Sequence, residues 1–276
     1  MLNCGITGST GILGSNVIKN LKFNFIIFKG DITKKKAVEN WVKSNEFDFI
    51  LHLAAIVPTI NVENNYKYAK KVNYSGTRNL VDAIVKYKKK VKNIFLASTS
   101  HVYKIQNKDL RINENQRLEP YSKYGKTKLL AENYFRETLK NNKIKYCIGR
   151  IFSYTDPKQN NTFLAPGLFN KIKKSNKKVI NFKGLNHYRD FLSIKDIINA
   201  IKILCLKKKT GTYNIGSGKK VNLESIARIF CKKLNKKAIF FKNSNDFTYL
   251  ISNNQKLCKI GWKPKVDFIK ELNRFK

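Results

Sequence analysis

The stretch Thr7-Gly8-Ser9-Thr10-Gly11-Ile12-Leu13-Gly14 decides the fold. It follows a short strand candidate at residues 1–7 and opens a helical pattern that runs to about Leu21. Gly8 permits a tight turn, Gly11 lets backbone approach a pyrophosphate, and Gly14 lets the helix pack closely on the strand. A diphosphate then rests on the N-terminus of the helix. Glycine-rich turns are common, and it is the strand–loop–helix context that points to a dinucleotide.

Outward from this loop, strands and helices alternate. Residues 24–28 (NFIIF) read as a second strand, and 33–43 have helical spacing with Ala37, Val38, Trp41 and Val42 on one face. Residues 47–55 (FDFILHLAA) form a continuous apolar run, the mark of a strand buried on both faces. Helix 72–87, strand 91–97, helix 121–139 and strand Tyr146–Ile151 follow. This alternation predicts an α/β protein with a doubly wound parallel sheet. Beyond residue 150 the pattern loosens into loops and shorter elements. A dinucleotide-binding region 1–150 and a substrate-binding region 151–276, with some chain exchange, are expected.

The chain has 276 residues, 42% of them hydrophobic, which is incompatible with wholesale disorder. No apolar run approaches the ~20 residues of a membrane helix. The N-terminus lacks a signal peptide's basic start and long apolar stretch, so a cytoplasmic protein is expected. Five scattered cysteines without CxxC spacing read as reduced core thiols, not a disulfide frame or metal site. The formal charge of +38 suggests a polyanion partner. However, the positives are 48 lysines against 8 arginines, spread over runs such as 34–36, 88–90 and 207–209. With 33 asparagines, this fits a compositional bias better than a nucleic-acid surface, which favours the arginine fork.

Tyr124 and Lys128 share one face of a predicted helix. A tyrosine is a poor acid or base near its free pKa of about 10. A lysine ammonium beside it favours the phenolate. Ser98-Thr99-Ser100 supplies hydroxyls directly after a buried strand, suited to a carbonyl oxygen. Where an acidic residue usually ends the second strand to hold the ribose of NAD, Phe28 and Lys29 stand instead. A lysine there suits the 2′-phosphate of NADP.

The ordered set of the glycine loop, Asp31-Ile32, Leu51-His52-Leu53-Ala54-Ala55, Asn73-Tyr74-Ser75-Gly76-Thr77, Ser98-Thr99, Tyr124/Lys128, Arg189-Asp190-Phe191, Asn214-Ile215-Gly216 and the C-terminal Ile260-Gly261-Trp262-Lys263-Pro264 resembles the extended short-chain dehydrogenase/reductases. The nucleotide-sugar epimerase/dehydratase/reductase branch is the most similar. The resemblance implies a Rossmann-type sheet with a small C-terminal α/β region, NADP or NAD as cofactor, a nucleotide-sugar substrate and a homodimer through helices 72–87 and 121–139. It implies that Gly8, Thr10, Gly11, Ile12 and Leu13 hold the dinucleotide. Lys29, Asp31, Ile32, Leu53, Ala54, Ala55 and Asn73 complete the cofactor set, Asn73 and Thr77 also bracing the sheet. Thr99, Tyr124 and Lys128 are the implied catalytic residues, the last two also touching the cofactor. Ser100, His101, Asn161, Phe163 and Arg189 are implied substrate contacts. Bland readings stand beside these: Asp31 suits a turn, and Asn73 and Thr77 suit a helix cap.

Dehydratases of this branch carry an acidic pair directly after the catalytic threonine; here Ser100 and His101 stand there, which disfavours dehydration. Bifunctional epimerase/reductases of the branch pair a cysteine with a later histidine. His101 and Phe163 replace that pair. The short region between the second strand and Asp31 resembles the dTDP-4-dehydrorhamnose reductases, and the modest length leaves a small substrate region; the resemblance implies a 4-keto-6-deoxysugar reductase, with a C4-epimerase holding NAD tightly as the alternative. A non-catalytic RNA-binding or NADP-sensing protein on the same scaffold is the third reading, and the retained Thr99/Tyr124/Lys128 set argues against it.

Overall fold

A computed structural model describes residues 1–57, 59–87, 89–241 and 247–276; Lys88 of the lysine run 88–90 lies outside them. Six parallel strands form the central sheet: β1 (Asn3–Thr7), β2 (Asn24–Ile27), β3 (Phe49–His52), β4 (Asn93–Thr99), β5 (Tyr146–Ile151) and β6 (Gly211–Ile215). Their order is β2-β1-β3-β4-β5-β6. β1 pairs with β2 on one side and with β3 on the other, in register Cys4↔Phe25 and Cys4↔Phe49. Strand order therefore reverses at β1, and the crevice beyond the carboxyl ends of β1 and β3 is where such sheets bind ligands.

Helices cover both faces. α1 (Ile12–Asn20) and α6 (Ile194–Leu206) flank the core around Cys4, Phe49, Phe95 and Ile197. On the other face α2 (Lys35–Lys43), α3 (Gly76–Lys86) and α4 (Lys123–Asn141) pack over Ile50, Leu96 and Ile148. The doubly wound α/β expectation is met. In the second region, α5 (Leu164–Lys174) and α7 (Leu223–Lys233) build a further core with Ile180, Phe182 and Phe268. β6 and α6 return the chain after residue 150 to the main sheet.

Two sequence readings need revision. The apolar run 47–55 yields a strand of only four residues, because the chain leaves the sheet after His52 to form a crevice wall. The loose pattern after residue 150 conceals helices of 11, 13 and 11 residues. In α5, Pro166 and Gly167 hid the stripe Ala165, Leu168, Phe169, Ile172. Proline is tolerated there because it lies in the first turn, where no intrahelical N–H bond is lost.

Buried polar groups tie the second region to the sheet. The Asp190 carboxylate accepts from Ser217 N and Oγ, Gly218 N, and Ser252 N and Oγ at 2.6–3.1 Å. Asp196 does the same for the C-terminal segment, accepting from Lys265 N and Val266 N, while its carbonyl takes Trp262 Nε1–H at 3.0 Å. All five cysteines are free thiols. Among the described residues no helix is long and apolar enough to cross a membrane.

Candidate active site

A cavity of about 630 Å³ opens over the carboxyl ends of β1, β3 and β4. Its wall at the glycine loop carries Gly8, Gly11, Ile12 and Leu13, faced by Leu53 and Ala55 after β3. Gly8 has φ +75°, and a Cβ there would lie 2.5 Å from Ala54 N, so only glycine lets the two loops close together. Gly11 is different. A Cβ on it would meet nothing nearer than Gly8 O at 3.5 Å. The space beside it is free for a ligand's phosphates at the N-terminus of α1. This cradle fits a dinucleotide.

At the far wall, Thr99 ends β4 and Tyr124 begins α4. Two devices bring them together. Ser122 caps α4, its Oγ accepting from Gly125 N at 3.1 Å. Gly125 lets the helix press on the turn after β4: a Cβ there would stand 2.2 Å from His101 O. Of the three hydroxyls at this strand end, that of Ser98 is committed to the Glu132 carboxylate. Thr99 Oγ1 accepts from His101 N at 3.3 Å, and the Thr99 hydroxyl favours ionisation of the Tyr124 phenol that shares its wall. The Thr99–Tyr124 pair therefore forms at the cavity wall, with Lys128 buried one turn further on.

The electrostatics differ from the sequence reading. Burial pushes the Tyr124 phenol above its ordinary range, and the Thr99 hydroxyl opposes this. Burial holds Lys128 itself down to about 8, with Glu132 opposing. Desolvation disfavours the charged form of each group and dominates both shifts.

The structure brings Ser100, His101, Phe163 and Arg189 to the same cavity. His101 is neutral, held at about 4 by burial and by Arg189. Its ring stacks on Tyr121 at 5.6 Å and meets Tyr124 edge-on at 5.5 Å, with Nδ1 3.3 Å from Tyr121 Oη. The Arg189 guanidinium is held by Tyr188 O, Thr248 O and Thr248 Oγ1 at 2.7–3.1 Å.

Other named residues are not on this wall. Thr10 and Lys29 are exposed, as is Asn161. The Asp31 carboxylate accepts from Thr33 N at 2.9 Å, which keeps it below the usual carboxylate range. Ile32 is buried in the core against Gly76. Ala54 contributes backbone beside Gly8. The Asn73 carboxamide points into the scaffold, accepting from Ile56 N at 2.7 Å and donating to Thr127 Oγ1 at 3.0 Å.

Sequence reasoning missed Tyr154 and the segment Thr59–Asn64, which line the cavity, the segment being tied to α4 by Lys123 N donating to Glu63 Oε1 at 2.7 Å, and it missed Gly125 and Tyr121, which pack against His101. It also missed Glu132 and Arg150 as a buried pair. The spacing Lys128-x-x-x-Glu132 was the available signal, since i and i+4 share a face.

A glycine cradle at the switch point of a parallel sheet, facing Tyr124 and the buried Lys128, defines a dinucleotide-binding oxidoreductase scaffold. The chain belongs to the GDP-mannose 4,6 dehydratase family, whose sequence model matches residues 6–274; its homologues are nucleotide-sugar epimerases and dehydratases of the short-chain dehydrogenase/reductase type. It is 30% identical over 226 residues to a dTDP-D-glucose 4,6-dehydratase of Dictyostelium discoideum, covering 77% of this chain but only 50% of that one. It is 26% identical over 296 residues to a putative UDP-glucose 4-epimerase of Methanocaldococcus jannaschii, covering 98% and 95% of the two chains. It is 27% identical over 274 residues to a GDP-6-deoxy-D-talose 4-dehydrogenase of Aggregatibacter actinomycetemcomitans, covering 92% and 90%. The solved structure of RMD from Pseudomonas aeruginosa complexed with NADPH superposes with a TM-score of 0.88 at 17% identity, covering 99% of this chain and 96% of that one. At that identity the likeness is one of fold.

Proposed function

We propose that this protein is an NAD(P)-dependent oxidoreductase of nucleotide-linked sugars that reduces a 4-keto-6-deoxysugar. The observation that carries this reading is that Thr99, Tyr124 and buried Lys128 line one wall of a cavity whose other wall is the Gly11 cradle. The nicotinamide dinucleotide, when bound, supplies the hydride. Gly8, Gly11, Ile12 and Leu13 would hold it, with Leu53 and Ala55 on the facing loop. Lys29, exposed two residues after β2, supports NADP over NAD in this reading. Thr99 and Tyr124 grip the carbonyl oxygen, and Tyr124, held neutral by desolvation, gives it the proton. Ser100 and His101 occupy the positions where a dehydratase of this family would carry carboxylates. The Aggregatibacter relative, named as a 4-dehydrogenase of a 6-deoxysugar, agrees with this choice. A homodimer through α3 and α4 belongs to the same proposal.

The second reading, a C4-epimerase with tightly held NAD, is favoured by the Methanocaldococcus relative, which the chain matches over nearly its full length. One experiment separates the two. The purified protein is incubated with NADPH or NADH and a panel of nucleotide-linked 4-keto-6-deoxysugars, following reduced-nicotinamide absorbance. Consumption with one sugar supports the reductase. No consumption, with interconversion of 4-hydroxy epimers and no added cofactor, establishes the epimerase instead.

A further inference from the structure

Five fully buried side chains form a hydrogen-bonded chain from the glycine loop to the catalytic helix. Thr7 ends β1 directly before Gly8, and its Oγ1 lies 2.7 Å from His52 Nδ1. His52 Nε2 lies 2.8 Å from Thr77 Oγ1, which donates to Asn73 O at 2.7 Å. The Asn73 carboxamide holds both Ile56 N and Ile56 O, and its Nδ2 donates to Thr127 Oγ1 at 3.0 Å. Thr127 Oγ1 donates to Tyr124 O at 2.8 Å. Thr7, Asn73, Thr77 and Thr127 have no exposure, and His52 has 1%.

Proton counting fixes every direction. A carbonyl oxygen only accepts, so the single hydroxyl protons of Thr77 and Thr127 are spent on Asn73 O and Tyr124 O. Thr77 must therefore accept from His52 Nε2–H. Thr7 Oγ1 accepts from Ala54 N at 3.4 Å and gives its own proton to His52 Nδ1. A doubly protonated imidazole would leave the Thr7 hydroxyl proton unpaired in a dry core, which is costly. Asn73 sits within a π-helical stretch, Lys71–Ser75; such bulges often mark functional positions.

We propose that His52 and Thr127 are positioning residues, and that this chain sets the Tyr124 backbone in register with the cofactor loops at Gly8 and residues 53–56. The proposal rests on the oxidoreductase reading for its effect on rate, but the coupling itself does not.

The test uses the full-length protein with NADPH as probe and two readouts. Hydrogen exchange is measured in wild type, His52→Gln, Thr127→Val and Thr127→Ser. We expect His52→Gln, made on β3, to speed exchange several-fold in the peptide spanning residues 122–130 as well as locally. Thr127→Val should do so in residues 53–57, with Thr127→Ser restoring the wild-type pattern. Changes confined to the strands around residue 52 in the one variant, and to α4 in the other, would overturn the proposal. In turnover assays Thr127→Val should lower kcat about tenfold with the NADPH Kd within twofold of wild type, and Thr127→Ser should recover it. Equal kcat in Thr127→Val and wild type overturns the positioning role. A wild type with no turnover on any sugar defeats the oxidoreductase reading instead, and leaves the exchange result to decide the coupling.

Discussion

Arg150 and Glu132 form a buried ion pair one helical turn beyond Lys128, with Arg150 Nη2 2.7 Å from Glu132 Oε2 and both side chains 2% exposed or less. Arg150 also donates to Tyr103 Oη and Glu114 O at 3.0 Å each, and Tyr103 Oη in turn donates to Asn214 Oδ1 at 2.6 Å. The pair thus joins α4, β5, β6 and the segment after β4.

Removing one member of such a pair leaves the other charge buried. Arg150→Met is expected to destabilise the protein by about 3–5 kcal/mol, measured by urea unfolding. Substituting both, Glu132→Leu with Arg150→Met, should cost clearly less than the sum of the single changes, because no charge is then stranded.

Lys128 predicts a pH dependence. Its ammonium is held at about 8 in the fold against an ordinary 10.5. The folded state therefore loses this proton before the unfolded chain does. Between these values the unfolded chain binds more protons, so stability contributed by this group rises with pH; below about 8 the full cost of the buried ammonium persists. Relative to Lys128→Met, the wild type should gain about 2 kcal/mol of unfolding free energy between roughly pH 7.5 and 9.5. Urea titrations of both proteins at the two pH values check this.

Gly125 predicts a catalytic effect without a binding effect. A methyl group at this position meets the His101 carbonyl oxygen at 2.2 Å, so Gly125→Ala must move the start of α4 and Tyr124 with it. A displacement of this size costs on the order of 10–100-fold in rate. We expect kcat to fall by that factor while the NADPH Kd, measured by fluorescence, changes less than about threefold.

The glycine loop, Tyr146–Ile151 and the Tyr124/Lys128 pair were legible because each rests on local spacing. β6 was not. Its five residues, Gly-Thr-Tyr-Asn-Ile, contain no apolar run, and the burial of Asn214 depends on Tyr103, 111 residues away. His52 was legible as a member of an apolar strand and of the 51–55 motif, but not as a hydrogen-bonding group. Its partners Thr7 and Thr77 lie 45 and 25 residues away, and a single sequence carries no trace of such pairing. The charge of +38 was the most prominent number and the least informative for the site: Lys128 and Arg189 are the cations placed on the cavity wall.

The central claim is that Tyr124 protonates a sugar carbonyl as hydride arrives. Removing its hydroxyl should remove a general acid worth about 10²–10⁴-fold in rate. The most direct measurement is to offer NADPH deuterated on its transferred face with a nucleotide-linked 4-keto-6-deoxysugar, then weigh the product by mass spectrometry. Wild type should yield a reduced sugar carrying one deuterium. Tyr124→Phe should bind NADPH yet form product at least about a hundredfold more slowly. A Tyr124→Phe protein that transfers deuterium at the wild-type rate would contradict the account.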